Sequence, residues 1–148
     1  MTRVKIQLPD DFIFRTDIPV RISDINYGGH LGNDAILSII HDSRVHFLKS
    51  LGLDELDIGG TSVIMADTAI VYRSEGFHGD NIQIDIAVND FTNSGFSIYY
   101  RMINLTTGVD LAHAKTGMVC FNYDRRKVEA VPPSFVELVN SQKAITPS

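Results

Sequence analysis

The chain has 148 residues, of which 44% are hydrophobic and 21% are charged, and this is the size and balance of one globular domain with its own core. Its net charge of -5 and its pI near 5.4 argue against a general affinity for nucleic acid, whose polyanionic backbone favours a basic surface. The sequence has no apolar run of about 18 residues and no hydrophobic stretch at its start, so we expect neither a membrane-spanning helix nor a secretion signal.

The first predicted strand covers residues 17–22 and leads into a segment rich in Asp, Asn and Gly, which cannot continue a strand. Asn33 is expected to cap a helix over residues 34–51, and Gly52 to end it. The first half of that helix is apolar almost all round, which predicts burial. Its second half carries a polar stripe that we expect to face solvent or a subunit interface, formed by Ser38, Asp42, His46 and Lys49.

From residue 62 onward the hydrophobic period changes to two, which is typical of half-buried strands. Short turn signals between the strands predict an antiparallel meander. The strands are expected over residues 62–73, 82–89, 96–105 and 111–123. A short helix after Pro132-Pro133 is predicted from a capping box over residues 134–137. We therefore expect a single α+β domain over residues 1–148, with a sheet wrapped on one helix.

Residues 24–33, here called the signature loop, read Asp-Ile-Asn-Tyr-Gly-Gly-His-Leu-Gly-Asn. They resemble the D-x-D-x-x-G-H-x-N-N signature of the 4-hydroxybenzoyl-CoA thioesterase-like branch of the hotdog superfamily. Residues 41–48 are similar to that branch's E-E-A-R-x-x-F-L helix segment, and residues 70–72 and 79–80 to its second strand and turn. The resemblance implies a hotdog fold, in which an antiparallel five-stranded sheet wraps around a long central helix. It also implies dimers joined through sheet edges, and acyl-CoA or acyl-carrier thioesters as ligands.

The catalytic candidates are His30, Asn26 and Asp24. Asn26 stands where the signature has its second Asp, which the family uses as nucleophile or general base. An amide has no titratable oxygen, so Asn26 can orient water or the thioester carbonyl but cannot take a proton. A histidine can accept a proton near neutral pH, which makes His30 the candidate base, with Asp24 as the group that orients it. A related hotdog arrangement has its base on the central helix, where Asp42 is the nearest carboxylate, although its stripe favours a solvated face.

The substrate-binding candidates are Tyr27, Gly28, Gly29, Asn33 and Arg73. The two glycines either polarise the thioester carbonyl with their N–H groups or only permit a positive φ in a tight turn. A basic group made of Arg73, Lys115 and residues 125–127 either meets the phosphates of coenzyme A or forms a solvated surface. Coenzyme A enters as part of the substrate, so no separate cofactor is expected. The scattered histidines predict no metal site.

Three functions remain open at this point. The first is a thioesterase in which water, oriented by Asn26 and activated by His30, attacks the carbonyl. The second is a hotdog hydratase or dehydratase, whose D-x-N element fits residues 24–26 but whose His would fall one position earlier. The third is a catalytically silent thioester-binding protein. The edge strand 62–73 predicts a homodimer or homotetramer. The lone Cys120, expected in the core, agrees with a reducing, cytoplasmic location.

Overall fold

Five long strands form one antiparallel sheet that wraps around a long helix in the computed structural model, which describes residues 3–146. The strands are β1 (Phe14–Pro19), β2 (Ser62–Tyr72), β3 (Asn81–Asn89), β4 (Gly95–Asn104), β5 (Val109–Asn122) and the two-residue β6 (Lys127–Val128). The helices are α1 (Asn33–Ser50) and α2 (Pro133–Asn140), and a 3-10 turn covers Ile22–Asp24. The predicted α+β architecture, with its antiparallel sheet and single long helix, is confirmed.

The long strands lie in the order β1-β3-β4-β5-β2, and β6 pairs with β5. All of the described pairings are antiparallel. Within this sheet β1 and β2 are therefore the two edges, and the prediction that the long strand after residue 62 lies at an edge is confirmed. The register of β2 against β5 shifts between Met65 and Asp67, which marks a bulge on the edge strand.

The core lies between one face of α1 and the inner face of the sheet. Ile36, Ile40 and Phe47 of the helix are each no more than 3% exposed. Burial of each such side chain contributes about 1.5–3 kcal/mol relative to leaving it in water. Ala112 and Ala114 of β5 are fully buried, as expected of small residues where a helix approaches a sheet closely. This packing fixes the direction of α1, and so the position of the loop that precedes it.

The ends of two elements differ from the predictions. The first strand covers Phe14–Pro19 and not residues 17–22, because the chain turns at Ile22–Asp24 and leaves the sheet there. The helix starts at Asn33 with Gly32 as its N-cap, and no side chain caps it, so the prediction that Asn33 is the cap was wrong. Gly52 has φ +75, a conformation that glycine adopts without strain and that ends the helix as predicted.

Three burial and capping predictions are also corrected. The first half of α1 is apolar almost all round but is buried on one face only, since Leu37 is 40% exposed. The terminal helix begins at Pro133, whose fixed φ suits a first helical position, so Ser134 is not its cap. Strand β3 is buried on both faces, since its outward Gln83, Asp85 and Ala87 are no more than 5% exposed, and Asp85 is ion-paired with Arg15 of β1 at 2.8 Å.

Candidate functional site

The signature loop is a tight hairpin that leads directly into α1. Ile25 and Leu31 form an antiparallel bridge at its base. Inside this bridge the Asn26 N–H donates to the His30 carbonyl at 2.8 Å, and the Gly29 N–H donates to the Asn26 carbonyl at 3.1 Å. Gly29 has φ +82, so the tight turn does require a glycine at this position. The sequence of turn formers thus folds into a compact loop at the N-terminal end of the central helix.

The side chain of Asn26 holds this loop together. Its Oδ1 accepts hydrogen bonds from the Gly28 N–H at 2.9 Å and from the His30 N–H at 3.2 Å. Both partners are donors, so the atom that faces them must be the amide oxygen and not the nitrogen. An Asp at this position would accept the same two bonds. The exchange of Asp for Asn therefore keeps the loop and removes the titratable oxygen.

His30 lies on the loop with two edges of its ring in different surroundings. Its Nδ1 lies 3.2 Å from Oε2 of Glu75, and its ring stacks at a tilt on Phe77 with the centroids 5.2 Å apart. On the opposite edge, a Cβ built on Gly28 would lie 3.6 Å from Cδ2 of His30 and 3.3 Å from Oδ1 of Asn26. Gly28 therefore leaves a narrow space between Asn26 and the Cδ2–Nε2 edge of His30.

The carboxylate of Asp24 binds Arg21 and not His30, the partner predicted for it. It is 5% exposed, and its carboxylate accepts hydrogen bonds from the Arg21 main-chain N–H at 2.9 Å and from the Arg21 guanidinium at 3.1 and 3.3 Å. Burial raises the pKa of Asp24, but the hydrogen bonds from Arg21 outweigh burial and hold that pKa below its ordinary value. Asp24 therefore stabilises the 3-10 turn before the loop, and the carboxylate in contact with His30 is that of Glu75.

The main-chain N–H groups of the predicted oxyanion hole are already used. The Gly28 N–H donates to Asn26 Oδ1, and the Gly29 N–H donates to the Asn26 carbonyl. The first amide of α1 with a helical partner is that of Ile36, which donates to the Gly32 carbonyl at 3.1 Å. The amides of residues 33–35 precede it and have no intrahelical acceptor. Donors suited to a developing oxyanion thus lie at the start of α1, next to the loop.

A cleft of about 400 Å³ opens beside the signature loop, between the end of β1 and α1. It is lined by Ile18, Pro19, Arg21, Asp24, Ser38, Ile39 and Asp42. A larger cleft of about 530 Å³ lies on a neighbouring stripe of α1, near the helix C-terminus, and contains no residue of the signature loop. The larger cleft also carries titratable groups, His41, Lys49, Asp54 and Glu55, but the free amides at the start of α1 lie next to the signature loop, which makes the loop the candidate site.

Tyr27 and Arg73 lie toward the signature-loop end of the molecule, but the predicted basic group is spread along β5. Tyr27 is fully exposed at the tip of the signature loop. Arg73 follows β2 and donates its main-chain N–H to Leu111 at one end of β5. Residues 125–127 lie beyond the other end of β5, about 35 Å away along the strand at 3.3 Å per residue. Lys115 lies between them, with its ammonium 5.5 Å from the ring centre of Tyr99. A single chain does not bring this basic group together.

Two further candidates have surroundings that differ from those of the loop. Asp42 is exposed on the polar stripe, where its carboxylate lies 3.4 Å from His46 Nε2. Ser38, Asp42 and Lys49 of this stripe are exposed in the single chain, and the first two line the cleft beside the signature loop, whereas His46 is half-buried with its Nδ1 3.0 Å from Thr16 Oγ1. Cys120 is fully buried in β5, and burial, with a smaller effect of Glu129, raises the pKa of its thiol to about 11. Such a thiol is a poor nucleophile.

Sequence reasoning missed a buried polar network on the other side of α1. Arg44 is 5% exposed and donates to the hydroxyl of Tyr100 at 3.2 Å, and that hydroxyl lies 2.8 Å from Thr116 Oγ1. Its Nε also donates to Glu55 at 3.4 Å, and Glu55 lies 3.0 Å from His41. The one signal in the sequence was the Arg of the helix segment. The network ties the C-terminal half of α1 to the sheet, away from the signature loop at the start of the helix.

The fold and the loop together define a thioesterase-like protein. The sequence profile of the Thioesterase-like superfamily matches residues 20–139. This chain belongs to that superfamily, and its fold is the hotdog fold that the sequence predicted. No curated protein sequence matches the chain.

Solved structures share this fold at low sequence identity. Slr0204, a 1,4-dihydroxy-2-naphthoyl-CoA thioesterase from Synechocystis, is 19% identical with a TM-score of 0.78, over 86% of this chain and 96% of that one. A predicted thioesterase from Bacillus stearothermophilus is 20% identical with a TM-score of 0.77, over 91% and 98%. SAV2348 from Staphylococcus aureus, in complex with CoA, is 19% identical with a TM-score of 0.78, over 97% and 94%. At such identities the likeness shows the fold alone.

Between residues 3 and 146, no three or more His, Cys, Asp or Glu side chains are grouped so that they could hold a metal ion. In the same part of the chain, neither helix is long and apolar enough to cross a membrane.

Proposed function

We propose that this protein hydrolyses an acyl thioester of coenzyme A or of an acyl carrier, at the signature loop and the start of α1. One observation carries the proposal: the loop brings the His30 ring and the Asn26 amide to the end of a helix whose first amides have no helical partner. A base, a polar orienting group and oxyanion donors are the groups that acyl transfer to water requires. Membership in the Thioesterase-like superfamily supports the same reaction.

The proposed reaction uses water as the nucleophile. Nε2 of His30 takes a proton from water as the water oxygen bonds to the carbonyl carbon. The amides of residues 33–35 donate to the oxyanion that forms, in place of those of Gly28 and Gly29. The carbon–sulfur bond then breaks, and the departing thiolate takes the proton from His30, which leaves a carboxylic acid and a free thiol. Asn26 orients the water through its Nδ2 group, since its Oδ1 is used within the loop.

We assign substrate binding to groups around this loop. Tyr27 at the loop tip and Asn33 at the start of α1 are the proposed contacts near the thioester. Arg73, at the same end of β5 as the loop that contacts His30, is the proposed contact for a phosphate of coenzyme A. The structure of SAV2348 in complex with CoA supports coenzyme A as the carrier. Coenzyme A would be part of the substrate and not a resident cofactor.

We further propose that the working form is a homodimer or homotetramer. Strand β2 is a long sheet edge with unpaired main-chain groups, and such edges are usually paired or protected. Leu37 of α1 and Met65 of β2 line one cleft at this edge and are 40% and 43% exposed. A second copy across β2 would cover both of them.

A silent thioester-binding protein is the second candidate, and Asn26 is the observation that favours it. The Oδ1 of Asn26 is occupied by two N–H groups, and the Nδ2 group, which stands where a carboxylate has its second oxygen, cannot take a proton. The hydratase alternative has no comparable support from the geometry.

The test is a panel of acyl-CoAs of different chain length and polarity, incubated with the purified protein while free thiol is followed. We expect thiol release with saturation kinetics. Binding of an acyl-CoA by calorimetry without thiol release would favour the silent binding protein. The panel also includes an enoyl-CoA, and loss of its enoyl absorbance without thiol release would favour a hydratase. The failure of every acyl-CoA to bind would overturn the proposal as a whole.

A further inference from the structure

Glu75 is the acidic side chain in contact with His30, and no sequence motif pointed to it. It belongs to the β2–β3 loop, residues 73–80, which is 45 positions further along the chain. Its Oε2 lies 3.2 Å from Nδ1 of His30. This Nδ1 atom is shielded from solvent although the His30 side chain as a whole is 40% exposed. The two atoms are in contact, but the direction from Nδ1 to Glu75 falls outside hydrogen-bond geometry.

The β2–β3 loop is held firmly enough to place Glu75. The carbonyl of Gly76 accepts the Leu31 N–H at 2.8 Å, which joins this loop to the signature loop. Further along, Oδ2 of Asp80 accepts the Phe77 N–H at 3.0 Å and the Nδ2 group of fully buried Asn104 at 2.8 Å. The neighbours of Glu75 are thus tied to the sheet on one side and to the signature loop on the other.

Close packing also sets the distance between the two loops. A Cβ built on Gly76 would lie 3.0 Å and 3.2 Å from side-chain atoms of Leu31. A larger residue at 76 would therefore require Leu31 or the β2–β3 loop to shift by a few tenths of an ångström. The ring of Phe77 packs on the His30 ring with centroids 5.2 Å apart and so limits its rotation.

We infer that Glu75 is a positioning residue for His30: it holds the proton of the neutral imidazole on Nδ1 and so leaves the Nε2 lone pair facing the water site. A carboxylate beside one ring nitrogen favours the tautomer that carries the proton there. The opposite ring edge, which contains Cδ2 and Nε2, faces the space left by Gly28 next to Asn26. This inference rests on the proposed function, because it assigns Glu75 a part in the same reaction. The acid that Asn26 does not supply would then act from a different loop.

The alternative is an ordinary surface ion pair. The Glu75 side chain is 68% exposed, and exposed pairs of this kind contribute little to stability. The two alternatives, a surface pair and a positioning pair, predict different kinetics. Removal of a surface pair leaves the ring tautomer and turnover unchanged, whereas removal of a positioning group lowers kcat and leaves KM as it was.

The experiment uses Glu75→Gln and Glu75→Ala in the full chain. Gln keeps an acceptor for Nδ1–H and removes the charge, whereas Ala removes both. We expect Glu75→Ala to lower kcat by about 10- to 100-fold, the size of effect caused by misplaced reacting groups, and Glu75→Gln to have a smaller effect. KM should not change in either variant. Glu137→Gln, which removes an exposed carboxylate from α2, is the matched control and should behave as wild type.

A second readout does not depend on activity. The ¹⁵N chemical shifts of the His30 ring, in protein labelled at histidine, report which nitrogen carries the proton. We expect the Nδ1–H form in wild type, a mixture of tautomers in Glu75→Ala, and an intermediate result in Glu75→Gln. Thermal unfolding of the same samples shows whether each variant is folded.

The outcomes separate the two proposals. If folded Glu75→Ala keeps both the wild-type tautomer and the wild-type kcat, the positioning role is refuted. A wild-type protein that shows the Glu75-dependent tautomer but hydrolyses no thioester refutes the proposed function and leaves the His30–Glu75 arrangement standing. If the tautomer does not depend on Glu75 while kcat falls, Glu75 acts on the substrate and not through His30, and the inference is again refuted.

Discussion

Replacement of Asn26 by Asp tests the relation between the loop and its chemistry. Asn26 Oδ1 accepts the N–H groups of Gly28 and His30, and a carboxylate oxygen accepts the same two bonds in the same geometry. The second carboxylate oxygen would replace Nδ2, which faces away from these two donors. Asn26→Asp therefore adds a base to the loop without rebuilding it.

The structure sets the size of the effects. Asn26→Ala loses two hydrogen bonds at an exposed loop, which should lower the free energy of unfolding by about 1 kcal/mol, the low end of the range for two bonds. Asn26→Asp keeps both bonds, and its charge lies near the N-terminus of α1, where an anion is stabilised by about 0.3–1 kcal/mol. Repulsion from Glu75 opposes this gain, so we expect a change in stability below about 1 kcal/mol.

The kinetic effect should be larger than the change in stability. A correctly placed general base contributes about 10²- to 10⁴-fold, and we expect Asn26→Asp to raise kcat toward the lower end of that range. Thiol release at saturating acyl-CoA measures kcat, and thermal unfolding of the same samples measures stability. If Asn26→Asp is folded, binds acyl-CoA as tightly as wild type and is no faster, then the chemistry implied by the signature does not transfer to this loop.

Three other predictions follow from the geometry. His30→Ala should lower kcat by about 10²- to 10⁴-fold, more than Asn26→Ala does, while the exposed control His78→Ala keeps wild-type turnover; equal losses at positions 26 and 30 would contradict the assignment of the base. Burial raises the pKa of Asp110, but hydrogen bonds from Arg101 and His113 outweigh it and hold that pKa below its ordinary value, so its stabilisation is present above about pH 4 and is lost as pH falls through the lowered folded-state pKa. In urea unfolding across pH 2–6, the free energy of unfolding should fall less steeply with decreasing pH in Asp110→Asn than in wild type, by about one proton at most. Identical slopes would contradict this linkage. Sedimentation at micromolar concentration should give a dimer or tetramer, and a monomer would contradict the proposed pairing through β2.

The fold was accessible from sequence because its signals are local. The alternation after residue 62 predicts strands, and the turn formers of the signature loop predict a break before a helix. The errors lie where non-local contacts decide. Asp85 alternates with apolar residues and appears half-exposed by period, yet it is 3% exposed because Arg15 of the neighbouring strand pairs with it. No periodicity within β3 contains that information.

The candidate site divides in the same way. Asn26, Gly28 and His30 were found because they are close together in a recognisable segment. Their hydrogen bonds were not predictable in detail: Asn26 Oδ1 closes the loop, and Asp24 bonds Arg21 and not His30. Glu75 was missed because its contact with His30 joins two loops that meet only after the sheet has formed.

A carboxylate at residue 26 could perform two roles, and this chain separates them. One oxygen of such a carboxylate would accept the main-chain N–H groups that close the loop, and the other would be free to act on water. Asn26 retains the first role, as its bonds to Gly28 and His30 show, and an amide cannot perform the second. If the protein turns over a thioester, the proton of water must therefore go to another group at the same loop. His30 has the required position between Glu75 and the space beside Asn26. It follows that the effects of substitutions at residues 26 and 75 on turnover should be coupled. In Asn26→Asp the loop has its own base, so the further replacement Glu75→Ala should lower turnover much less than it does in wild type. Equal losses in both backgrounds would mean that Glu75 does not act through the base.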